Sequence, residues 1–516
     1  MMNFSTSKRF LVAFVFLVSL SLLAQNALPK DFDQWLENSR NDWKIPGMAV
    51  GVVQDGKVIY AQGFGEKQLG KGDKVDENTV FSIASVSKNM TAAALGILVD
   101  EGKISWDDKI TKHIPWFQFR DPWATKELTI RDALIHRVGL GRILGNRLQF
   151  MTKSSRDEVL KQVRYMDFEE PFRSGYVYSN VMYSLAGQVI EYTEGRTWDQ
   201  FLQERLFQPL GMNRTTTTIA ELEKQSNVAF PHQEIDGKIV PIPRRNWDNA
   251  GPAGGVNSSI SDLNKWMLMQ LGTSGSVQDK VIISEKTMNE IHRPQISTAS
   301  SNPLASQSSY GLGWQIFDYK GKRIWTHSGA TDGFNTFMFL VPELNLGIVM
   351  AGNAFNSLGT AVAYQVIDHQ LNSTDKDWSE TILTNYQNQY QRAQEARDAI
   401  HNARVKNTQP SLNLNEYVGI YESLAYGKVE VKLVGKDLVM RFWNDEDLEA
   451  KLEHWHFDTF RAVWKNRAQR EEFMQFHLNK MGKVDALDFE FVLRPMLLQV
   501  GAYPSNYTHT EKFEKK

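Results

Sequence analysis

Apolar positions fall along the chain in two rhythms. Residues 31–43 carry a helical pattern. Residues 48–65, MAVGVVQDGKVIYAQGFG, hold two strand-like apolar runs on either side of Asp55-Gly56. That dipeptide favours a two-residue hairpin turn because both positions tolerate positive φ. Residues 82–101 read as a helix with Met90, Ala94, Leu95 and Leu98 at helical spacing, and Gly102 follows as a stop. From Leu128 to about Leu271 the pattern is mostly helical with Gly and Pro interruptions. Strand signals return at residues 311–317, 323–326, 336–341 and 347–351. Strands at both ends and helices in the middle predict one sheet built from both ends, with a helical domain inserted between.

The texture then changes twice. Residues 372–410 are rich in Gln, Asn, Asp and Arg and read as a polar helical linker. After Pro410, KVEVKLV and KDLVMRFW alternate at period two around Gly435-Lys436-Asp437, and short runs of this kind continue to Val500. Residues 411–509 are therefore expected to form a small all-β unit, barrel or sandwich. At the other end, Lys8 and Arg9 precede an apolar run from Phe10 to Ala24. This is the layout of a secretory signal peptide over residues 1–24, cleaved after Ala24 or Ala27. The run is short of the about 20 apolar residues that a membrane span needs, so retention as an anchor is the lesser alternative. The expectation is a periplasmic or secreted protein with no stable membrane span after processing.

Composition narrows the function by exclusion. The 516 residues are 42% hydrophobic and 23% charged, with a formal net charge of -2 and no cysteine. Without a basic block, nucleic acid is not an expected partner. Without cysteine, disulfides, thiolate metal sites and a cysteine nucleophile are excluded.

Acyl transfer by serine needs a hydroxyl, a proton acceptor, donors for the oxyanion and an acid for the leaving group. The elbow G-x-S-x-G is missing, but Ser-x-x-Lys occurs at Ser5, Ser85 and Ser373. Residues three apart share a helix face, which puts an ammonium beside a hydroxyl. Ser5 lies in the signal segment and Ser373 at the polar linker; only Ser85 opens a long apolar helix after a strand-like segment. Tyr178-Ser179-Asn180 offers a phenol for proton transfer and an amide that can hold both lysine and substrate. Tyr386-Gln387-Asn388 repeats that pattern, but within the polar linker. His327-Ser328-Gly329, on a strand edge after Trp325, can present a backbone N–H, with glycine allowing close approach. His454 and His456 put two imidazoles on one side of a strand. No third ligand stands at a telling spacing, so no metal is expected there. Asp332-Gly333 reads as a turn.

Taken in this order, these elements resemble the serine β-lactamase and penicillin-binding protein superfamily, closest to its class C branch, which includes DD-carboxypeptidases, D-aminopeptidases and carboxylesterases. The resemblance runs from about Ile45 to His369. It includes IPGMAVGVV, FSIASVSKNMTAAAL, LTIRDALIH, YSNVMYSLAGQVIE, LFQPLGM, AGGVNSSISDL, YGLGWQI, HSGATDGF and GIVMAGN. It implies an α/β (α+β) fold over residues 28–371, an antiparallel sheet flanked by helices with an inserted helical domain. The β-rich tail resembles a lipocalin-like module.

The resemblance assigns Ser85 as the acylated serine, Lys88 as its partner, Tyr178 as the catalytic tyrosine and Asn180 as the substrate-amide asparagine. The N–H groups of Ser85 and Ala330 would form the oxyanion hole, and Gly254-Gly255 would pack nearby as structure. Two positions depart from the pattern. His327 replaces the lysine of true class C β-lactamases, and His136-Arg137-Val138-Gly139 replaces His-Thr-Ser-Gly at a site read as structural. The implied function is a cofactor-free serine hydrolase acting on D-amino-acid peptides or amides, or small esters. The alternatives are a β-lactamase proper and a non-catalytic binding protein of the same fold. Expected partners are a small-molecule or peptide substrate, with the C-terminal module a surface through which subunits can join.

Overall fold

A computed structural model describes residues 28–516 apart from 142–147, 150–152, 273–275, 278–279, 300–303, 306, 374–375, 443–446, 470 and 493–507. The expected signal segment, and with it the Ser5 copy of the motif, lies outside the described residues.

Helix α1 (Phe32–Asp42) leads into the hairpin of β1 (Gly47–Gln54) and β2 (Lys57–Gly65). Asp55 and Gly56 have φ of 49° and 77°, the pair of positive values that matches the twist of a tight hairpin. Helices α2 (Ser87–Asp100), α3 (Asn180–Glu194) and α4 (Ile260–Leu271) belong to the middle of the chain. Strands then return as β3 (Ile296–Ser297), β4 (Ser308–Tyr310), β5 (Gln315–Tyr319), β6 (Lys322–Thr331), β7 (Phe334–Val341) and β8 (Leu346–Gly352). The sheet order is β2-β1-β8-β7-β6-β5-β4-β3, with every pairing antiparallel. The first hairpin thus docks on the last strand, as the split strand pattern predicts.

All of β7 and β8 is buried, as is β1 except for its final residue. Helices cover both faces, which is why these strands read as continuous apolar runs rather than alternating ones. On one face Phe32 and Leu36 of α1, with Val362 and Ile367 of α5 (Leu358–Gln370), pack on Val50, Val52, Ile348 and Met350. On the other, Leu95 of α2 and Met267 of α4 belong to the core that includes Ala49, Val53, Met338 and Val349. Among the described residues no helix is long and apolar enough to cross a membrane.

The polar segment is helix α6 (Trp378–Asn402), and it is fastened at both ends. Trp378 Nε1 donates to Asp368 at 2.9 Å, its ring lies 5.0 Å from that of Tyr364, and Trp43 Nε1 donates to Ser379 at 3.1 Å. At the far end Arg397 and His401 both reach Glu471 at 2.7 Å, and just beyond the helix Arg404 lies over the Trp455 ring at 4.9 Å. Glu471 and Trp455 belong to the barrel that follows. Its strands are β9 (Gly419–Ser423), β10 (Gly427–Val434), β11 (Asp437–Phe442), β12 (Glu449–His456), β13 (Thr459–Trp464), β14 (Glu472–Leu478), β15 (Val484–Val492) and β16 (Thr508–Lys515). They pair in sequence, and β16 closes the ring on β9. The closing strand runs past the expected end at residue 509. Its one inward anchor is Phe513, too little apolar pattern to read as a strand. Phe442, Phe476, Phe489, Phe491 and Phe513 fill the interior, as expected where eight strands enclose just enough room for side chains.

Because Trp378 and Ser379 are buried against α1 and α5, a chain ending at Asn372 lacks part of the core that a chain ending at Tyr390 keeps. The shorter chain is expected to be less stable by about 3–5 kcal/mol, the scale of losing a buried tryptophan. Comparing the urea midpoints of the two chains checks this.

Candidate active site

The turn that carries Ser85 is built from both sides. The short strand Phe81–Ser82 pairs with Asn257–Ser258, and Ile83 N donates to Val256 O at 3.0 Å. Ala84 then takes a φ of 45°, a left-handed conformation that costs a non-glycine residue about 1 kcal/mol or more. The Ser87 hydroxyl holds it there, donating to Ala84 O at 2.6 Å and accepting from Val256 N at 3.1 Å. Ser85 therefore sits in a 3-10 turn, Ala84–Val86, and α2 begins only at Ser87. This corrects the expectation of a single helix from residue 82. Its result is a serine partly exposed between buried neighbours.

Lys88 has no exposed surface. An ammonium carries three N–H donors. Here they meet Ser85 Oγ at 3.1 Å, Asn180 Oδ1 at 2.6 Å and Ala253 O at 2.7 Å. Its Nζ also lies 4.8 Å from the Tyr178 ring centroid and 5.3 Å from that of Tyr183, within cation–π range. Tyr178 donates to Ser85 Oγ at 3.0 Å. Ser85, Lys88, Tyr178 and Asn180, far apart in sequence, thus share one hydrogen-bonded cluster.

His136, read from the sequence as structural, is in direct contact with this cluster. Ser179 N donates to its Nδ1 at 3.0 Å and Val177 N to its carbonyl at 2.7 Å, so it grips the backbone on both sides of Tyr178. A backbone N–H can only donate, so Nδ1 is the bare nitrogen of this imidazole. The rings of His136 and Tyr178 lie 4.2 Å apart. His136 has a φ of 61° and follows the short helix Ile130–Leu134, which the buried carboxylate of Asp132 caps through Thr129. Arg137 bonds the same carboxylate, and Arg173 reaches it at 2.5 Å. Burial acts to raise the Asp132 carboxyl, yet these two guanidiniums and Thr129 hold it below the usual carboxylate range. The departure at Arg137 thus supplies a counter-ion for Asp132.

The strand β6 supplies the remaining wall. Along β6 the pairing with β5 covers Lys322–Thr326, so residues 327–331 are paired to β7 on one side, and their other edge meets the Ser85 turn. A Cβ on Gly329 would stand 2.0 Å from Ile83 O and 2.8 Å from Ser85 N, so only glycine fits. Ser328 and Ala330, on either side of it, are partly exposed. His327 donates from Nδ1 to Ser328 O at 2.8 Å, which leaves Nε2 to accept from Tyr310 OH at 2.9 Å. Burial raises the Tyr310 hydroxyl well above its ordinary range, so it stays a donor. Tyr310 was not found by sequence reasoning, since nothing local distinguishes its hydroxyl from that of a core tyrosine.

Of the other candidates, the glycine pair lies beside the Ser85 turn and the rest fall elsewhere. Gly255 packs against Gly251, with room for no Cβ, whereas a Cβ on Gly254 would make only ordinary contact with Ala84. Asp332-Gly333 is a turn, and its carboxylate pairs with Arg245 at 2.9 Å. His454 Nε2 bonds Phe457 O at 2.9 Å, while His456 Nδ1 accepts from Val405 N at 3.3 Å. The Ser373 hydroxyl accepts from Lys320 at 2.7 Å, and Tyr386 packs on Trp43.

This fold agrees with what comparison gives. The sequence model of the beta-lactamase family matches residues 32–371, and the chain belongs to that family. A domain of unknown function, DUF3471, matches residues 403–501. The chain is 29% identical over 422 residues to unguisins hydrolase ungD' of Aspergillus campestris, covering 78% of each. It is 26% identical over 377 residues to protein flp of Staphylococcus aureus, covering 71% of each. The octameric penicillin-binding protein homologue from Pyrococcus abyssi shares the fold at a TM-score of 0.61 and 21% identity, over 89% of this chain and 97% of that one.

Asp132→Asn leaves two guanidiniums without their buried counter-ion and is expected to cost about 3 kcal/mol at pH 7. A depressed carboxyl stabilises the fold above its unfolded pKa of about 3.9 and loses that effect as pH falls through the lower folded value. The gap between wild type and variant should therefore persist at pH 5 and narrow below pH 4, as read by urea denaturation across that range.

Proposed function

We propose that this protein is a serine hydrolase working through an acyl-enzyme on Ser85, with D-amino-acid peptides or amides, or small esters, as substrates. The observation that carries this reading is Ser85 Oγ held between the Lys88 ammonium at 3.1 Å and the Tyr178 hydroxyl at 3.0 Å. Relatives whose names describe hydrolases of unguisins support a hydrolytic reaction.

In the first half-reaction Ser85 Oγ attacks the acyl carbon and gives its proton to the phenolate form of Tyr178. The carbonyl electron pair moves onto oxygen, which the N–H groups of Ser85 and Ala330 receive. Collapse of this intermediate breaks the bond to the amine or alcohol. The leaving atom takes the proton from Tyr178, and an ester remains on Ser85. Water then adds to that ester with Tyr178 again taking a proton; the acid leaves and the Ser85 hydroxyl is restored. Lys88, with all three N–H groups engaged, serves as a fixed cation beside the transferring proton. Asn180 gives its amide oxygen to Lys88, so its NH2 is the donor for a substrate carbonyl.

Ser85→Ala is expected to abolish turnover and covalent labelling by a fluorescent penicillin or fluorophosphonate while the protein stays folded. Ser373→Ala should do neither. Labelling that survives Ser85→Ala would end the proposal.

His327 supports the site as a neutral imidazole in this reading, because Nε2 must stay bare to accept from Tyr310. Protonating it removes that acceptor, so ester hydrolysis is expected to fall on the acid side. His327→Lys, charged throughout, should abolish or move that limb. An acid limb unchanged in both His327→Lys and His327→Ala overturns the role.

A further inference from the structure

A cleft of about 1530 Å³ separates the barrel from the helical region of the hydrolase part. Most of its wall comes from three stretches: residues 153–156, the hairpin of His232–Ile235 and Lys238–Pro241 with the segment after it, and barrel residues 447–448 and 465–469, with Asp199, Glu223 and Asp332 among the rest. The barrel is held in place here by Gln233, which donates to Ala468 O at 3.3 Å, and by an ion pair of Arg467 with Asp236. Small-molecule sites usually occupy about 300–1,000 Å³, so this space suits a longer, extended ligand.

The cleft reaches the end of β6, the strand that walls the Ser85 site. Asp332 is in its wall, three positions along from Gly329, whose backbone touches the Ser85 turn. At about 3.3 Å per residue, Asp332 stands within about 10 Å of Gly329. A recess of about 20 Å³ with Ser82 and Thr331 in its wall shares Arg244, Arg245 and Asp332 with the cleft.

Two features point to an oligopeptide. The strand Lys238–Pro241 lines the cleft and among the described residues pairs only with His232–Ile235, which leaves its other backbone edge to an added extended chain. Ile235, Val240, Ile242 and Leu448 give that chain apolar contacts. The charges then favour an acidic one. Asp332 is taken by Arg245, Asp236 by Arg467 and Asp199 by Arg156. Lys153, Lys238 and Lys465 are exposed and form no ion pair among the described residues, although Lys465 lies in the field of Glu449. They approach from the hydrolase loop, the hairpin and the barrel. Glu223, facing Arg244, Asp447, and Asp248, which accepts from Ile219 N at 3.0 Å, are the acidic residues that stand against them.

We infer that this cleft binds the distal part of an oligopeptide whose scissile bond lies at Ser85, and that Lys153, Lys238 and Lys465 select a carboxylate on that part. The inference rests on the serine-hydrolase reading and adds the barrel to substrate selection.

The test uses the full chain and peptides that share a D-Ala-D-Ala core. Each core is extended by six residues on its amino or its carboxyl side, with the extension ending in Glu-Glu or in Gln-Gln. Wild type is expected to prefer the Glu-Glu peptide of one series by about tenfold in kcat/KM, carried by KM. Lys238→Glu and Lys465→Glu should each reduce that ratio at least threefold. Because the ratio is taken within each variant, loss of folded protein cancels. A ratio near one in wild type for both series, or a ratio untouched by both variants, overturns the inference. If no peptide and no short D-amino amide or ester is turned over, the hydrolase reading falls instead. The cleft is then decided by fluorescence anisotropy of the labelled Glu-Glu and Gln-Gln peptides on Ser85→Ala protein. Tighter binding of Glu-Glu that Lys238→Glu removes supports the cleft, and equal binding sinks it.

Discussion

A lysine ammonium with no exposed surface is the constraint around which the active-site region is arranged. Removing such a group from water costs several kcal/mol unless each N–H finds an acceptor. The three acceptors of Lys88 come from three separate stretches: the Ser85 turn, the first residue of α3 and the carbonyl of Ala253. The local geometry follows from holding those stretches together. Ala84 is bent into a left-handed conformation, and Ser87 ties it to Val256. Helix α3 comes so close to the helical turn Gly251–Gly254 that a Cβ on Gly187 would stand 2.2 Å from Pro252. Each contact that satisfies the lysine also fixes the serine hydroxyl between it and Tyr178.

Much of this was legible in the sequence because the signals are local. Asp55-Gly56 specifies its turn through backbone preference alone, and buried strands such as β7 announce themselves as apolar runs. The spacing of Ser85 and Lys88 places hydroxyl and ammonium together whether the turn is 3-10 or α. What stayed hidden depends on tertiary contact. The apolar pattern around residues 82–101 does not reveal that docking against Val256 delays the start of α2. His136 looks like any lone histidine until the fold brings it against Tyr178. Arg397 and His401 look solvated, since their partner Glu471 lies about 70 residues away. Alternation in the tail fits barrel and sandwich equally, and only the pairing of β9 with β16 decides between them.

Helix α6 has a polar sequence but is fastened rather than free. Its first turn is sealed into the hydrophobic layer of α1 and α5, and its last residues are bonded to the barrel. A polar helix can be stable in such a bridging position because its two ends, rather than one apolar face, supply the tertiary contacts. Together with the ion pair of Arg467 and Asp236, this makes two points of attachment that resist rotation of the barrel against the sheet.

The pairing of β1 with β8 has a consequence for the birth of the chain. Met48 lies opposite Gly352, so the first hairpin leaves the ribosome about 300 residues before the strand that covers its inner edge. At about 5–20 residues per second, that edge waits about 15–60 s for its partner. During this interval MAVGVV is an apolar strand with open backbone groups, a template for pairing with a neighbouring nascent chain. The sheet is therefore most vulnerable to aggregation while it is being made, and a factor that shields this one hairpin during synthesis would raise the yield of folded protein without altering its final stability.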